Sequence, residues 1–362
     1  MHIGLMMDCD YREGQSQRAA FEAVLRTATE AEASGFDGVW LAERHFSPPG
    51  GTALVSSIGS APLLMATAIA ARTSHLRIGT AVLLLPLGHP IRLAEEVATL
   101  DNLCQGRLDL GIGRSSFPRV YQGYNIPYEE SRARFWEFFE VMRGAWTQAR
   151  LSYTGTFYTC QDLEVLPKPA QQPHPPIYAA ASTPETFAAI GTMGLPLLVA
   201  LIGTRLSELD AVLTTYRTAW RQAGHPGVGS VHLRLPVYVA DTLTQAQEEP
   251  YASVMPYYER LRQGYLRSTQ SQAFESTVRS ARATQLVALT YADVLQERVV
   301  FGTAAHVTTR LQTLQQTLDL AGFIIEPNIG SGLTATQVAH SLDVLMRDVA
   351  PVLRTTASLS PS

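Results

Sequence analysis

The 362-residue chain is poor in cysteine: Cys9, Cys104 and Cys160 are its only three. They lie far apart and show no metal-ligand spacing, so a zinc module or a disulfide framework is excluded, and reduced thiols in a cytoplasm are expected. No run of about 18 or more apolar residues occurs, so no membrane span is expected. The N-terminal segment Met1–Met7 lacks the basic start, long apolar stretch and cleavage site of a signal peptide. Basic residues are scattered and the net charge is -4 with a pI near 6.1, which argues against nucleic acid as a partner. No Gly-x-Gly-x-x-Gly follows the first strand-like run and no Walker-type loop occurs, so dinucleotide and P-loop folds lack support.

Strand-like runs alternate with helical patterns along the chain. Apolar residues make up 46%, enough to fill a large core. The expected strands are Ile3–Met7, Phe36–Leu41, Leu76–Leu85, Leu108–Ile112, Ile177–Ala181, Leu195–Leu201, Val231–Ala240 and Phe323–Glu326. Helical spacing fills Ser16–Ala33, Ser60–Arg72, Ile91–Leu103 and Glu129–Trp146 between them. Eight strand–helix units predict an α/β fold, a (β/α)8 TIM barrel of one domain over 1–362, with insertions at the C-terminal mouth. Two segments break the rhythm. The proline-rich stretch 150–175 reads as an excursion over the mouth. The stretch of about 241–302 carries Tyr251, Tyr257, Tyr258 and Tyr265, and reads either as a lid or as helical decoration.

In such a barrel the chemistry sits at the strand C-termini. There the second strand delivers Glu43, Arg44 and His45 within Val39-Trp-Leu-Ala-Glu-Arg-His-Phe46. A carboxylate, a guanidinium and an imidazole in a row suit proton transfer; they equally suit an ion-paired rim. His89 reads as a helix-start residue. The fourth strand ends at Gly113, where a missing side chain would let a flat ligand approach, and Arg114 follows with a planar fork suited to phosphate. Ser182 and Thr183 precede Pro184 at a helix start, whose free N–H groups can hold an anion or simply carry an N-cap. Phe117, Tyr121 and Tyr124 suggest an apolar pocket or core aromatics.

Taken together, these segments resemble the bacterial luciferase-like flavin monooxygenases over almost the whole chain. The resemblance is carried by Phe36 to Phe46, by Leu76 to Val82 and Pro86 to Pro90, and by Ala94-Glu-Glu, Leu100-Asp and Gly106-Arg-Leu. It continues through Glu130-Ser-Arg-Ala-Arg-Phe135 and Glu326-Pro-Asn-Ile-Gly330 to Val349-Ala-Pro351. It implies reduced FMN at the barrel mouth, supplied by a transient flavin reductase partner. It implies a phosphate site at Arg114, Ser182, Thr183 and Thr186, with Glu43 beside the cofactor. It also implies an unusual cis peptide at Ala81–Val82 under the flavin ring. The activity implied is a two-component FMN-dependent monooxygenase acting with oxygen on an aldehyde, ketone or natural-product-like substrate. His45 is the expected proton-transfer residue and Arg44 an expected stabiliser of developing negative charge. A homodimer is expected, with the small-residue helix Ala61–Ala71 facing either a twin or its own barrel.

Luciferase's catalytic chain differs at three positions. It has a second histidine where this chain has Arg44, a reactive cysteine where it has Gly113, and glutamate where it has Ser182; light emission is therefore not expected. Two rivals remain on the same barrel: a non-catalytic flavin-binding subunit of a luciferase-like complex, and a deazaflavin-dependent dehydrogenase. A metal-dependent hydrolase lacks ligands.

Overall fold

The computed structural model describes residues 1–48, 50, 54–201, 204–269 and 276–357. Eight parallel strands close into a barrel: β1 (His2–Met7), β2 (Gly38–Leu41), β3 (Arg77–Thr80), β4 (Leu108–Gly113), β5 (Ile177–Ala180), β6 (Leu197–Ala200), β7 (Val231–Val239) and β8 (Gly322–Glu326). Each pairs with its sequence neighbour, and β8 closes on β1 with Ile3 opposite Phe323 and Leu5 opposite Ile325. Burial on both faces explains the near-continuous apolar runs; every residue of β7 is buried. The expected third strand is shorter than its apolar run. Regular pairing stops at Thr80, a cis peptide joins Ala81 to Val82, and only Leu83–Leu84 pair again with β4.

Helices pack around the barrel: α1 (Gln17–Ala33), α2 (Pro62–Ala70), α3 (Pro90–Leu103), α4 (Ser131–Thr147), α5 (Pro184–Thr192), α6 (Leu209–Gln222), α7 (Tyr251–Thr269), α8 (Ser276–Val287) and α9 (Ala304–Leu318). Ser16 caps α1 by accepting from the Ala19 N–H at 3.2 Å, and Gly35 ends it at a φ of 83°, a left-handed position that favours glycine. The main core lies between strands and helices. A second, smaller cluster fills the barrel interior: Met6, Trp40, Leu198 and Ile324. Trp40 is admitted there because Gly4 and Gly79 have no side chains; a Cβ on Gly79 would lie 2.4 Å from its ring. The small-residue helix α2 turns Ala66 and Ile69 onto its own barrel and leaves Leu64 exposed.

The stretch 150–175 differs from expectation. It forms an antiparallel hairpin, Leu151–Thr154 with Thr159–Leu163, on the outer flank of α4 rather than over the mouth. Glu137 of α4 accepts the N–H groups of Phe157 and Tyr158 at 2.9 and 2.8 Å. Lys168 donates to the carbonyls of Ala145 and Gln148, and Gln171 is pinned to Asp101 at the barrel's lower end. Backbone groups that a proline-rich loop leaves open are thus satisfied by a helix flank. The later insertion holds α7, α8 and a ninth parallel strand, Val300–Gly302, on the edge of β7. Tyr257, Tyr258 and Tyr265 lie buried in its own apolar cluster.

Candidate active site

A cavity of about 560 Å³ opens at the C-terminal end of the strands. Its floor is ionic. Arg234 of β7 points into the barrel mouth and donates to Glu326 at 2.8 and 3.0 Å and to Asp8 at 2.8 Å. Asp8 also receives Arg44 at 2.8 Å. Burial opposes charge on Asp8, but Arg234 and Arg44 outweigh it and draw the carboxyl down to about 2. Glu326 goes the other way: its burial raises it. Arg44 therefore lines the cavity as an ion-paired residue, the second of the two readings open for it.

His45 is held from both sides. Its Nε2 lies 2.7 Å from Glu43 Oε1, and its Nδ1 lies 3.1 Å from the Tyr124 hydroxyl. A carboxylate only accepts, so in the neutral ring Nε2 carries the proton and Nδ1 accepts from Tyr124. Glu43 is itself fixed, because its other oxygen accepts the Leu84 N–H at 2.8 Å. The motif's three polar residues thus split: Glu43 orients His45, while Arg44 turns to Asp8. Phe46, at a φ of 55°, lays its ring on bare Gly123.

The opposite end is built from β4 and α5. Arg114 Nη1 donates to the Ser131 hydroxyl at 2.8 Å, its guanidinium lies over the Tyr128 ring, and its carbonyl accepts from the Tyr121 hydroxyl. Tyr121 is thus a buried support, while Phe117 lines the cavity. Ser182 and Thr186 line the same cavity as Arg114. Thr183 is buried at the N-cap position; its hydroxyl bonds that of Thr186 at 3.0 Å and makes no cap bond. Gly113 lines the cavity and also makes room for a neighbour: a Cβ there would meet Val82 Cγ2 at 2.3 Å. Ala81 and Val82, joined by the cis peptide, form the wall between the two ends. His89 stands at the start of α3 without a cap bond, its ring against Tyr158.

Three contributors escaped the sequence. Arg282 of α8 donates to the Ser182 carbonyl, Arg260 of α7 enters from the far insertion, and Glu185 sits on the first turn of α5. Glu185 is held below its usual range by its own backbone N–H and the Thr183 hydroxyl, with Arg132 adding to the effect. No local pattern marks Arg260 or Arg282, which lie more than 100 residues beyond the β2 motif.

The donor set fits a phosphorylated flavin. An arginine fork, two hydroxyls and a helix start converge at one end, a flat apolar wall follows, and an oriented imidazole stands at the other. The family model described as luciferase-like monooxygenase matches residues 1–320. The chain belongs to that family. Among relatives of the luciferase-like family, the oxygenase component of a flavin-dependent trigonelline monooxygenase from Acinetobacter baylyi is 26% identical, over 64% of this chain and 63% of its own. The alkanal monooxygenase alpha chain of Photorhabdus luminescens is 28% identical, over 58% and 56%. The match thus spans less than two thirds of these curated relatives' length. A solved luciferase-like fold, the oxygenating constituent of 3,6-diketocamphane monooxygenase from Pseudomonas putida in complex with FMN, superposes with a TM-score of 0.78 at 20% identity, covering 97% of this chain and 98% of that one. Among the described residues no helix is long and apolar enough to cross a membrane, and no group of metal-binding side chains occurs.

Proposed function

We propose that this chain is the oxygenase component of a two-component FMN-dependent monooxygenase. A separate reductase delivers reduced FMN, and an organic substrate is oxygenated in the cavity. The observation that carries the reading is the cavity itself: Arg114, Ser182 and Thr186 line one end and the Glu43-oriented His45 the other. Bound reduced FMN supplies the electrons that activate oxygen. Arg114 and the start of α5, with Ser182, Thr183 and Thr186, hold the phosphate. The Ala81–Val82 wall sets the plane of the ring. His45 moves a proton at Nδ1, the nitrogen facing Tyr124, while Glu43 keeps the ring from rotating. Arg44, tied to Asp8, braces the cavity floor rather than acting on the reacting atoms. A homodimer completes the proposal.

The test uses the purified chain with a flavin reductase, NADH and labelled oxygen. Incorporation of label into a product supports the reading. Turnover without oxygen, driven by a deazaflavin donor, would transfer the chain to the dehydrogenases. FMN binding without turnover on a broad substrate panel would mark it as a flavin-binding subunit.

A further inference from the structure

The cavity carries positive charge that flavin binding does not use. Arg260 lies half-buried on α7. Its Nε donates to the Leu54 carbonyl at 3.1 Å and its Nη2 to the Gly330 carbonyl at 3.4 Å. Both partners are neutral. No carboxylate among the described residues pairs with it, and burial pushes its pKa down, with only the Tyr257 hydroxyl acting in the opposite direction. Its Nη1 makes no bond there, so the open side of the fork remains available. Arg44 and Arg234 of the same cavity are neutralised by Asp8 and Glu326. Glu43 is the one carboxylate among the described lining residues, and both of its oxygens are engaged, by His45 and by Leu84.

Apolar side chains line the same cavity, Leu54, Val55, Phe117, Leu261 and Tyr265 among them; Arg119 and Arg267 line it as well. A guanidinium set among apolar side chains without a counter-charge is costly unless an anion completes it. Arg114 and Arg282 stand at the phosphate end, by Ser131 and Ser182, and are the cofactor's share.

We propose that the substrate of this cavity has an apolar body and an anionic head, a carboxylate or a sulfonate, and that Arg260 receives the head. The proposal rests on the flavin reading, which assigns the other end to the phosphate. It restricts the substrate to amphiphilic acids and sets neutral aldehydes and ketones aside as poor ligands. The fork geometry suits either head group, since both present oxygens to paired N–H donors.

The experiment titrates FMN-loaded protein with octanoate, octane-1-sulfonate and neutral octanamide by calorimetry, and titrates FMN separately by flavin fluorescence. One or both anions bind at least about ten-fold tighter than octanamide, as a charge-assisted pair requires, and the tighter one identifies the head. Arg260→Met removes the preference and leaves FMN affinity within about two-fold, whereas Arg260→Lys keeps part of it. If Arg260→Met does not fold, raising salt to about 0.5 M on the unmutated protein weakens the anions and spares octanamide. Equal binding of the three probes, or a preference that survives Arg260→Met, overturns the proposal. An anion preference that Arg260→Met removes, in protein that fails to bind FMN, supports the Arg260 site and removes the cofactor reading instead.

Discussion

Two pairs among the arginines that line one cavity differ in their partners. Arg44 and Arg234 end on carboxylates, in a closed network with Asp8 and Glu326 at 2.8–3.3 Å. Arg260 and Arg282 end on backbone carbonyls. The first pair is neutralised by the fold and holds strands β1, β7 and β8 together. The second pair is positioned by the fold through neutral partners, and its charge is what the proposed ligands would use. The difference teaches that lining a cavity does not make an arginine functional; the identity of its partner decides.

Breaking the neutralised side gives the largest effect. Arg234→Met leaves Asp8 and Glu326 buried without their main cation and costs about 3–5 kcal/mol of stability, read by denaturant unfolding. Next comes His45→Ala, which leaves FMN binding intact while product per oxygen consumed falls about 100-fold and hydrogen peroxide rises. Preserved coupling in the folded variant removes His45 from the mechanism. Third, Arg114→Ala weakens FMN by about 1–3 kcal/mol and leaves riboflavin, which lacks the phosphate, unchanged. Equal loss for both ligands would place Arg114 outside the phosphate site.

Two carboxylates sharpen the comparison through pH. Asp8 sits at about 2, below its usual value, so its stabilisation is present above about pH 4 and is lost as pH falls toward 2. Asp10 is pushed up to about 7 by burial and then by Asp8. Its native form prefers the proton, so stability drops as pH rises from about 4 to 7 and stays reduced above. Asp10→Asn flattens that decline and raises the melting temperature at pH 8; an unchanged slope refutes the assignment. The smallest effect is expected at Glu185. Glu185→Gln removes a carboxylate from the start of α5 and tightens FMN by about two-fold, since a like charge near a helix N-terminus competes for its donors.

The barrel was legible because parallel strands buried on both faces are written as apolar runs, and the eight runs fall on the eight strands. The interruption after Thr80 was not written in that pattern: Ala81–Leu85 continues the run as apolar residues, and only the family resemblance pointed to the Ala81–Val82 peptide. Glu43, His45 and Arg114 were legible as short motifs at strand ends. Their partners were not. Tyr124 lies 79 residues from His45 in the chain and reads as a pocket aromatic until its hydroxyl is seen at Nδ1. The prolines of 150–175 signal irregular backbone but not its destination, which the acceptor Glu137 fixes. Gly113 shows the same limit: glycine announces a close approach, and the sequence does not say by what.

Lys168 is the chain's single lysine; every other basic side chain apart from histidine is a guanidinium. Its ammonium closes the C-terminal carbonyls of α4, the helix whose first residue, Ser131, braces Arg114. Amine-directed acylation therefore finds one side chain besides the N-terminal amine, and leaves the guanidiniums of the cavity untouched. A reporter dye attached at Lys168 sits at the far end of the helix that begins at Ser131, beside Arg114.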